Sequence, residues 1–294
     1  MTPTLHGVRY GGVEAGGTKF VCAVGSGPDD ISDVVRIPTT TPAETLPQVQ
    51  AYFADHPVDA VGIATFGPVE TRRGHPEFGR ITSTPKPHWA GADLVEAVRA
   101  VLDVPIAIDT DVNAAAVAEA AWGAGSGHSS VLYVTVGTGL GGGAAIEGRA
   151  LPGLVHPEMG HVSVARLEGD TFPGVCPFHF DCLEGMASGT AMRARWGRSA
   201  DELGADLDEA VAIEAHYLAA GFRQFVYTLA PDVIVMGGGV SHLRSLHTAT
   251  NDRLVEMMAG YAIQPEHLAG FVVAPGLGDN AGIAGALALA ESAR

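Results

Sequence analysis

Two of the three cysteines in the chain lie close to histidines, an arrangement typical of metal sites. Cys176, His179 and Cys182 follow the spacing Cys-x2-His-x2-Cys, and His156 and His161 lie upstream of them. Thiolate and imidazole are the ligands that a tetrahedral zinc ion prefers, with four protein ligands at a structural site and three at a catalytic one. We therefore predict a zinc site rather than free thiols and surface histidines. His156 and His161 compete as the fourth ligand, and the glycine before His161 favours His161.

Three glycine-rich turns, each following an apolar run, are candidates for binding phosphate. Glycine lets the backbone approach a phosphate closely, and a neighbouring threonine adds a hydroxyl donor. None of the turns has the spacing of a Walker loop, and the GTGLGG run at 137–142 precedes a second strand rather than a helix. Together the three turns favour a nucleoside triphosphate over ordinary hairpin glycines. They comprise Gly16, Gly17, Thr18 and Lys19; Gly137, Thr138 and Gly139 with 141–143; and Gly237, Gly238 and Gly239.

Acidic residues stand where a predicted strand meets a predicted helix, in the run DTDVN at 109–113. Ligands of open α/β sheets bind at this edge. Phosphoryl transfer needs a carboxylate near the acceptor hydroxyl and a cation, usually Mg²⁺, on the phosphates. Asp111 is the candidate base, although an aspartate here also suits a helix N-cap. Glu158 and Glu184 flank the zinc ligands and are either acceptors for sugar hydroxyls or solvated surface acids.

The elements that must position these residues alternate between strands and helices. A glycine hairpin opens each half of the chain, at 10–25 and at 130–147, and βα units follow each hairpin. This repetition predicts two related α/β lobes with a ligand cleft between them. The GAGSGH segment at 123–128 has the composition of a linker. We place the lobes at 1–123 and 124–294, with a C-terminal helix at 280–292 that packs back on the first lobe.

Composition and charge exclude several classes of protein. The 294 residues are 47% apolar and 17% charged, which excludes intrinsic disorder. A net charge of −16 opposes a nucleic-acid surface. We find no apolar run long enough for a transmembrane helix and no secretory signal in residues 1–10. Three cysteines make no disulfide framework, so we expect a cytoplasmic protein. From the charge and the lack of a long apolar run, we expect neither nucleic-acid nor membrane partners.

These motifs resemble those of the ROK family (repressors, open reading frames and sugar kinases), and most closely its bacterial fructokinases. The similarity runs through nearly the whole chain. Its most specific part is CPFHFDCLEGMASG from Cys176, because other ROK kinases more often carry Cys-x-Cys-x4-Cys there. Other matching segments are EAGGTKFVCAVG from Glu14, STPKPHW from Ser83, DTDVNAAA from Asp109, VTVGTGLGGG from Val134, GLVHPEMGHV from Gly153 and VIVMGGGVS from Val233.

The resemblance implies a fold, an activity and a set of site residues. The fold is the actin-like ATPase fold, an α/β fold in which two ribonuclease H-like lobes close on ATP and sugar across an interlobe cleft. The activity is transfer of the γ-phosphoryl group of Mg²⁺-bound ATP to the 6-hydroxyl of D-fructose, and the assembly is a homodimer. The catalytic base is Asp111. The other implied residues are His161, Cys176, His179 and Cys182 for structural Zn²⁺; Glu158, His161, Glu184 and Asn113 for the hexose; and Gly16, Gly17, Thr18, Lys19, Thr138, Gly189, Gly237, Gly238 and Gly239 for ATP.

The chain departs from the pattern of many ROK kinases at three positions, where Glu14 replaces an aspartate, Thr110 an asparagine and Phe180 a glycine. The nearest alternative activity is that of a ROK hexokinase acting on mannose or glucose. A sugar-responsive repressor of the family needs a preceding helix-turn-helix, and the turn at Gly16 leaves no room for one. A non-catalytic sugar-binding protein would not need Asp111 together with the three glycine turns.

Overall fold

The structure, a computed structural model, describes residues 7–84, 86–261 and 263–294. Its strands are β1 (Tyr10–Ala15), β2 (Lys19–Gly25), β3 (Ser32–Pro38), β4 (Ala60–Thr65), β5 (Ile106–Thr110), β6 (Ser130–Val136), β7 (Leu140–Ile146), β8 (Arg149–Ala150), β9 (Val233–Gly237) and β10 (Val272–Val273). Its α-helices are α1 (Pro42–Asp55), α2 (Leu94–Arg99), α3 (Asp111–Trp122), α4 (Leu183–Met186), α5 (Gly189–Trp196), α6 (Leu207–Leu229), α7 (Leu246–Met258) and α8 (Ala281–Ser292).

The first sheet begins with an antiparallel hairpin and continues with parallel strands. Its order is β3-β2-β1-β4-β5, and β1 pairs antiparallel with β2 and parallel with β4. Successive residues of a strand face opposite sides of the sheet. Accordingly, Phe20 of β2 packs with Phe53 of α1, whereas its neighbour Val21 packs with Ile283 of α8. Both faces are therefore covered, and the carboxyl ends of the parallel strands β4 and β5 lie at one edge.

The second sheet repeats this arrangement. Its order is β10-β9-β6-β7-β8, with β6 antiparallel to β7 and parallel to β9. On one face, Leu132 packs in a core with Phe222 of α6 and Leu254 of α7. On the other face, Tyr133 packs with Ala284 of α8. Each glycine hairpin of the sequence thus opens one of two similar mixed sheets, as predicted.

Helices α3 and α8 lie between the two sheets. α3 packs against β6, β7 and α8, and α8 packs against β1 and β4. Gly62 of β4 permits this close approach, because a side chain there would collide with the carbonyl oxygen of Ala286. The carboxylate of Glu119, buried in α3, accepts hydrogen bonds from the backbone N–H groups of Ala124 and Leu277. It therefore ties the segment after α3 to the segment before α8.

Two helix starts differ from the simplest reading of the sequence. The apolar pattern predicts one helix over Leu183–Trp196, but Ser188 interrupts it by accepting a hydrogen bond from the N–H of Ala191 as the N-cap of α5. The N-cap of α3 is Thr110, not Asp111. No helix in the described parts of the chain is long and apolar enough to cross a membrane.

Candidate functional site

Asp111 is the first residue of α3, directly after the carboxyl end of β5. The hydroxyl of Thr110 accepts the hydrogen bond from the N–H of Asn113 at 3.2 Å, so the cap is supplied by Thr110 and not by the Asp111 carboxylate. One oxygen of that carboxylate accepts the N–H of Val112 at 2.9 Å. Burial raises the pKa of Asp111 to about 6. A carboxylate with a pKa in this range can accept a proton at neutral pH.

A small cavity of about 210 Å³ lies beside Asp109, near the carboxyl end of β5. Asp109, Asn113 and His156 contribute to its wall. The amide nitrogen of Asn113 donates to Asp109 at 2.7 Å, and its amide oxygen accepts the N–H of Ala144 on β7 at 3.3 Å. Asn113 is only 1% exposed, so it mainly holds Asp109 in place and ties α3 to the second sheet.

His156 contacts the loop after β4 and does not lie in the cluster of His161, Cys176, His179 and Cys182. The side chain is 7% exposed, and its Nε2 accepts the N–H of Val69 in the loop after β4 at 3.4 Å. Its Nδ1 lies 3.5 Å from the half-exposed carboxylate of Glu158. The sequence singled out His156 only as a competing zinc ligand. Its place in the cavity wall depends on a partner 87 residues away, which no local pattern indicates.

The structure brings His161, Cys176, His179 and Cys182 together, with one ligand atom from each lying within 4.8 Å of all the others. Nδ1 of His161 is 3.7 Å from Sγ of Cys176 and 3.6 Å from Sγ of Cys182. Nδ1 of His179 is 3.8 Å from Sγ of Cys176. Typical zinc bond lengths place neighbouring sulfur and nitrogen ligands of a tetrahedron about 3.6 Å apart. The donor set and its spacing therefore fit zinc.

Phe180 closes the loop between Cys176 and Cys182. It exchanges backbone hydrogen bonds with Cys176, and its φ of +54° lies in the left-handed region. This conformation favours glycine, which is the residue that many ROK kinases have here. The ring of Phe180 is 68% exposed. The substitution therefore leaves the loop closed and places an aromatic side chain on its outside.

Glu184 connects the zinc loop to the second glycine turn. It lies in α4, two residues after Cys182, and its Oε2 accepts the N–H of Leu140 at 3.1 Å. A side chain at Gly139 would meet the same oxygen, so glycine is needed for this contact. Order in the zinc loop is thus coupled directly to the turn between β6 and β7.

A larger cavity of about 1040 Å³ lies over the second glycine turn, on the second lobe. Thr138, Gly189 and Gly239 line it, together with Arg193 and Arg244. The N–H of Gly189, at the start of α5, donates to the carbonyl of Gly137 at 2.7 Å and so holds the turn against the helix. The cavity offers glycine backbone, a helix N-terminus and arginines, a combination that suits an anionic ligand such as a nucleotide.

Gly237 and Gly238 do not line this cavity. A side chain at Gly238 would collide with the backbone of Val136, and its φ of +90° also favours glycine. A side chain at Gly237 would lie 2.6 Å from the hydroxyl of Tyr133. Close packing therefore accounts for Gly237 and Gly238. Of the glycines in the third turn, only Gly239 forms part of the cavity wall.

The first glycine turn, Gly16–Lys19, lies at the end of the β1–β2 hairpin on the first lobe. Its carbonyl groups have partners outside the turn: the hydroxyl of Thr39 donates to Gly16 at 2.7 Å, and the ammonium of Lys86 donates to Gly17 at 2.5 Å. Just before the turn, burial raises the pKa of Glu14, with Asp111 adding to the rise and Lys19 opposing it. Glu14 and Asp111 therefore face the same region. Neither Glu14 nor Lys86 was assigned a role from the sequence.

Comparisons with known proteins agree with this geometry. The ROK family profile matches residues 10–293. A fructokinase of Zymomonas mobilis is 42% identical over 293 residues, 97% of each chain, and a fructokinase of Pediococcus pentosaceus is 40% identical over 283 residues, 96% of this chain and 98% of that protein. A ROK family glucokinase from Streptomyces griseus, solved with glucose and AMPPNP, has a TM-score of 0.75 at 26% identity and covers 97% of this chain and 99% of its own. The predicted resemblance and the predicted actin-like ATPase fold are confirmed.

Proposed function

The chain belongs to the ROK family, and from this premise we propose that it is a fructokinase, which transfers the γ-phosphoryl group of ATP to O6 of D-fructose and releases fructose 6-phosphate and ADP. The observation that carries the proposal is similarity to fructokinases over almost the full length of the chain. The placement of Asp111 at the carboxyl edge of the first sheet, between Asp109 and Asn113 of the small cavity's wall in sequence, supports it.

In the proposed reaction, the carboxylate of Asp111 accepts the proton of the 6-hydroxyl as O6 attacks the γ-phosphorus. The O6–P bond forms while the bond from phosphorus to the leaving oxygen of ADP breaks. The lobes 1–123 and 124–294 close on the two substrates and exclude water, and helix 280–292 completes the first lobe. Closure limits wasteful transfer of the phosphoryl group to water.

The hexose occupies the small cavity and its mouth. Glu158 and Glu184 supply acceptors for sugar hydroxyls, since carboxylates accept such hydrogen bonds well. His161 has its Nδ1 directed at the two thiols, so its other ring nitrogen donates to the sugar. Asn113 acts there mainly through Asp109, which it holds at 2.7 Å. His156, in the cavity wall, is an additional sugar-binding candidate.

ATP occupies the larger cavity with its phosphates directed toward the first glycine turn. Thr138, Gly189 and Gly239 line the nucleotide site, and Gly16, Gly17, Thr18 and Lys19 receive the terminal phosphates. Gly237 and Gly238 support this site by packing behind it. Mg²⁺, when bound with ATP, neutralises phosphate charge. Oxygen ligands are what Mg²⁺ prefers, and Glu14 is the carboxylate we assign to hold it.

The zinc site is structural. His161, Cys176, His179 and Cys182 would hold the ion with four protein ligands, the number typical of a structural rather than a catalytic zinc site. When bound, zinc cross-links the loop from His161 to Cys182. Glu184 follows this loop by two residues, so we propose that the metal orders the hexose site without contacting the reacting atoms. The enzyme works as a cytoplasmic homodimer in this proposal.

A panel of hexoses tests the proposal. The purified protein is incubated with MgATP and fructose, mannose or glucose; ADP release is measured, and phosphorus NMR identifies the phosphorylated position. We expect the highest kcat/KM with fructose and a phosphate on O6. A preference for mannose or glucose would favour the hexokinase alternative, and release of ADP without any sugar phosphate would contradict both.

A further inference from the structure

The only two lysines of the chain lie at the same glycine turn. Of the 17 basic residues, only Lys19 and Lys86 are lysines, and the other 15 are arginines. Lys19 ends the turn, and the ammonium of Lys86 donates to the carbonyl of Gly17 at 2.5 Å, 69 residues away in sequence. Neither lysine is part of a salt bridge within the described residues, whereas many of the arginines are. The lysines are therefore not used for surface ion pairing.

A buried tryptophan fixes the segment that carries Lys86. Trp89 is fully buried, and its indole N–H donates to the carbonyl of Thr40 at 2.9 Å. Its ring centroid lies 5.2 Å from that of Phe20 and 5.6 Å from that of Phe66. Phe20 directly follows Lys19 on β2. The loop between β4 and α2 is thus docked on the hairpin itself, and Lys86 is held over the turn rather than swinging freely in solvent.

The turn leaves room for an anion beside these two cations. A side chain built at Gly17 would meet no atom within 4 Å. The carbonyl groups of Gly16 and Thr18 accept hydrogen bonds from Thr39, at 2.7 and 3.0 Å, so both carbonyl groups already have partners. A phosphate is a stronger partner for an ammonium than a neutral carbonyl is, because the two groups then carry opposite charges.

We propose that Lys86 contacts the γ-phosphoryl group of ATP and stabilises the charge that develops on it during transfer. This inference rests on the proposed phosphoryl transfer. A cation there also offsets local negative charge, because Glu14, just before the turn, and Asp111 repel each other electrostatically and the whole chain carries a net charge of −16. Lys86 leaves Gly17 for the γ-phosphate when ATP binds and returns when ADP remains. Its ammonium binds a phosphoryl group as a compact point charge with three rotatable donors, whereas the guanidinium of arginine is a rigid planar fork, so the two are not interchangeable at such a site.

The test replaces Lys86 by methionine, which keeps the length and removes the charge, and by arginine, which keeps the charge and changes the shape. Arg99→Met, an exposed position at the end of α2, is the control for loss of one positive charge. We measure kcat and KM for fructose, the melting temperature, and the affinities for Mg-AMPPNP and for Mg-ADP without sugar by calorimetry.

We expect Lys86→Met to lower kcat about 100-fold, as removal of one charge-stabilising donor does. The affinity for AMPPNP should fall, while the affinity for ADP and the KM for fructose change less than about twofold and the melting temperature changes by at most a few degrees. Lys86→Arg should recover only part of kcat. Equal losses for AMPPNP and ADP, or a kcat within twofold of the parent, would overturn the proposal. The comparison of AMPPNP with ADP uses no sugar, so it decides the role of Lys86 even if fructose proves not to be the substrate.

Discussion

Sγ of Cys182 lies 3.6 Å from Nδ1 of His161, although 21 residues separate them in sequence. The contact brings the end of the 3-10 turn Met159–His161 against the start of α4. Glu158 directly precedes this turn, and Glu184 lies in α4. These are the two acids that we assign to the hexose. The contact between His161 and Cys182 therefore links the two segments that we propose to bind the sugar.

Removal of one zinc ligand tests this link. Cys182→Ala should reduce bound zinc from one equivalent to none, lower the melting temperature and raise the KM for fructose, because structural metal binding contributes directly to folding. Metal content is measured by atomic emission. Cys22→Ala is the matched control, since Cys22 is buried in β2 on the other lobe. Full zinc occupancy and unchanged stability of the Cys182 variant would contradict the structural role.

Asp111→Asn should lose turnover and gain stability. Loss of a positioned base lowers kcat by about 10²- to 10⁴-fold. Burial raises the pKa of Asp111 from 3.8 to about 6, so the folded protein pays about 3 kcal/mol to keep this group ionised at pH 7. Because the raised pKa makes that cost grow as pH rises from about 4 to 6, the gain in unfolding free energy should be larger at pH 7 than at pH 5. Urea denaturation at both pH values measures it, with the exposed Asp103→Asn as control.

The same pKa sets the acid limb of the pH profile. Asp111 is an acceptor only when it is ionised, so kcat/KM should fall tenfold per pH unit below about 6. The initial rate with fructose is measured from pH 5 to pH 8 at saturating MgATP. The residual activity of Asp111→Asn should lack this limb. A limb that persists in the variant would assign the titration to another group.

The buried ion pair between Asp170 and Arg195 should stabilise the segment between His161 and Cys176, in which Asp170 lies. Asp170 accepts bidentate hydrogen bonds from Arg195 of α5 at 2.8 and 2.9 Å, and Tyr217 of α6 also donates to it. Arg195 holds the pKa of Asp170 well below its usual value. Asp170→Asn should therefore lower the unfolding free energy by about 3–5 kcal/mol at pH 7, and by less once the pH falls below the usual aspartate pKa toward the lowered pKa of the folded state.

The control for Asp170 is an ion pair of the same kind in solvent. Glu256 pairs with Arg253 at 2.6 Å, and their side chains are 64% and 39% exposed. Glu256→Gln should change the unfolding free energy by less than about 1 kcal/mol. Chemical denaturation of both variants gives the comparison. Equal effects at the two sites would show that burial does not strengthen the Asp170 pair.

Local chemistry and periodicity made much of the fold and the metal site predictable. Apolar alternation around the turn at Gly16 and Gly17 indicated a hairpin, and β1 and β2 form it. The Cys176 to Cys182 spacing indicated three members of the cluster that the structure brings together, because soft donors so close in sequence have few other uses. The glycine before His161 favoured that residue as the fourth member, and the structure places it in the cluster, whereas His156 contacts Val69 instead.

Glycines were the least informative residues, because glycine is required both for ligand approach and for close packing. Gly239 borders the larger cavity, whereas Gly238 fits closely against Val136 and does not line that cavity. The contact between Lys86 and Gly17 was also out of reach of sequence patterns, because it joins a long loop to a hairpin 69 residues away. Tertiary structure was needed in both cases to tell the roles apart.

The most direct test of the account is the distance from Asp111 to the attacking hydroxyl. A crystal structure of the protein with D-fructose and Mg-AMPPNP would give it. The account predicts that a carboxylate oxygen of Asp111 lies within about 2.6–3.2 Å of O6, with the γ-phosphorus in line beyond it. Fructose bound with O6 outside hydrogen-bond reach of Asp111, or with another hydroxyl in that place, would contradict it.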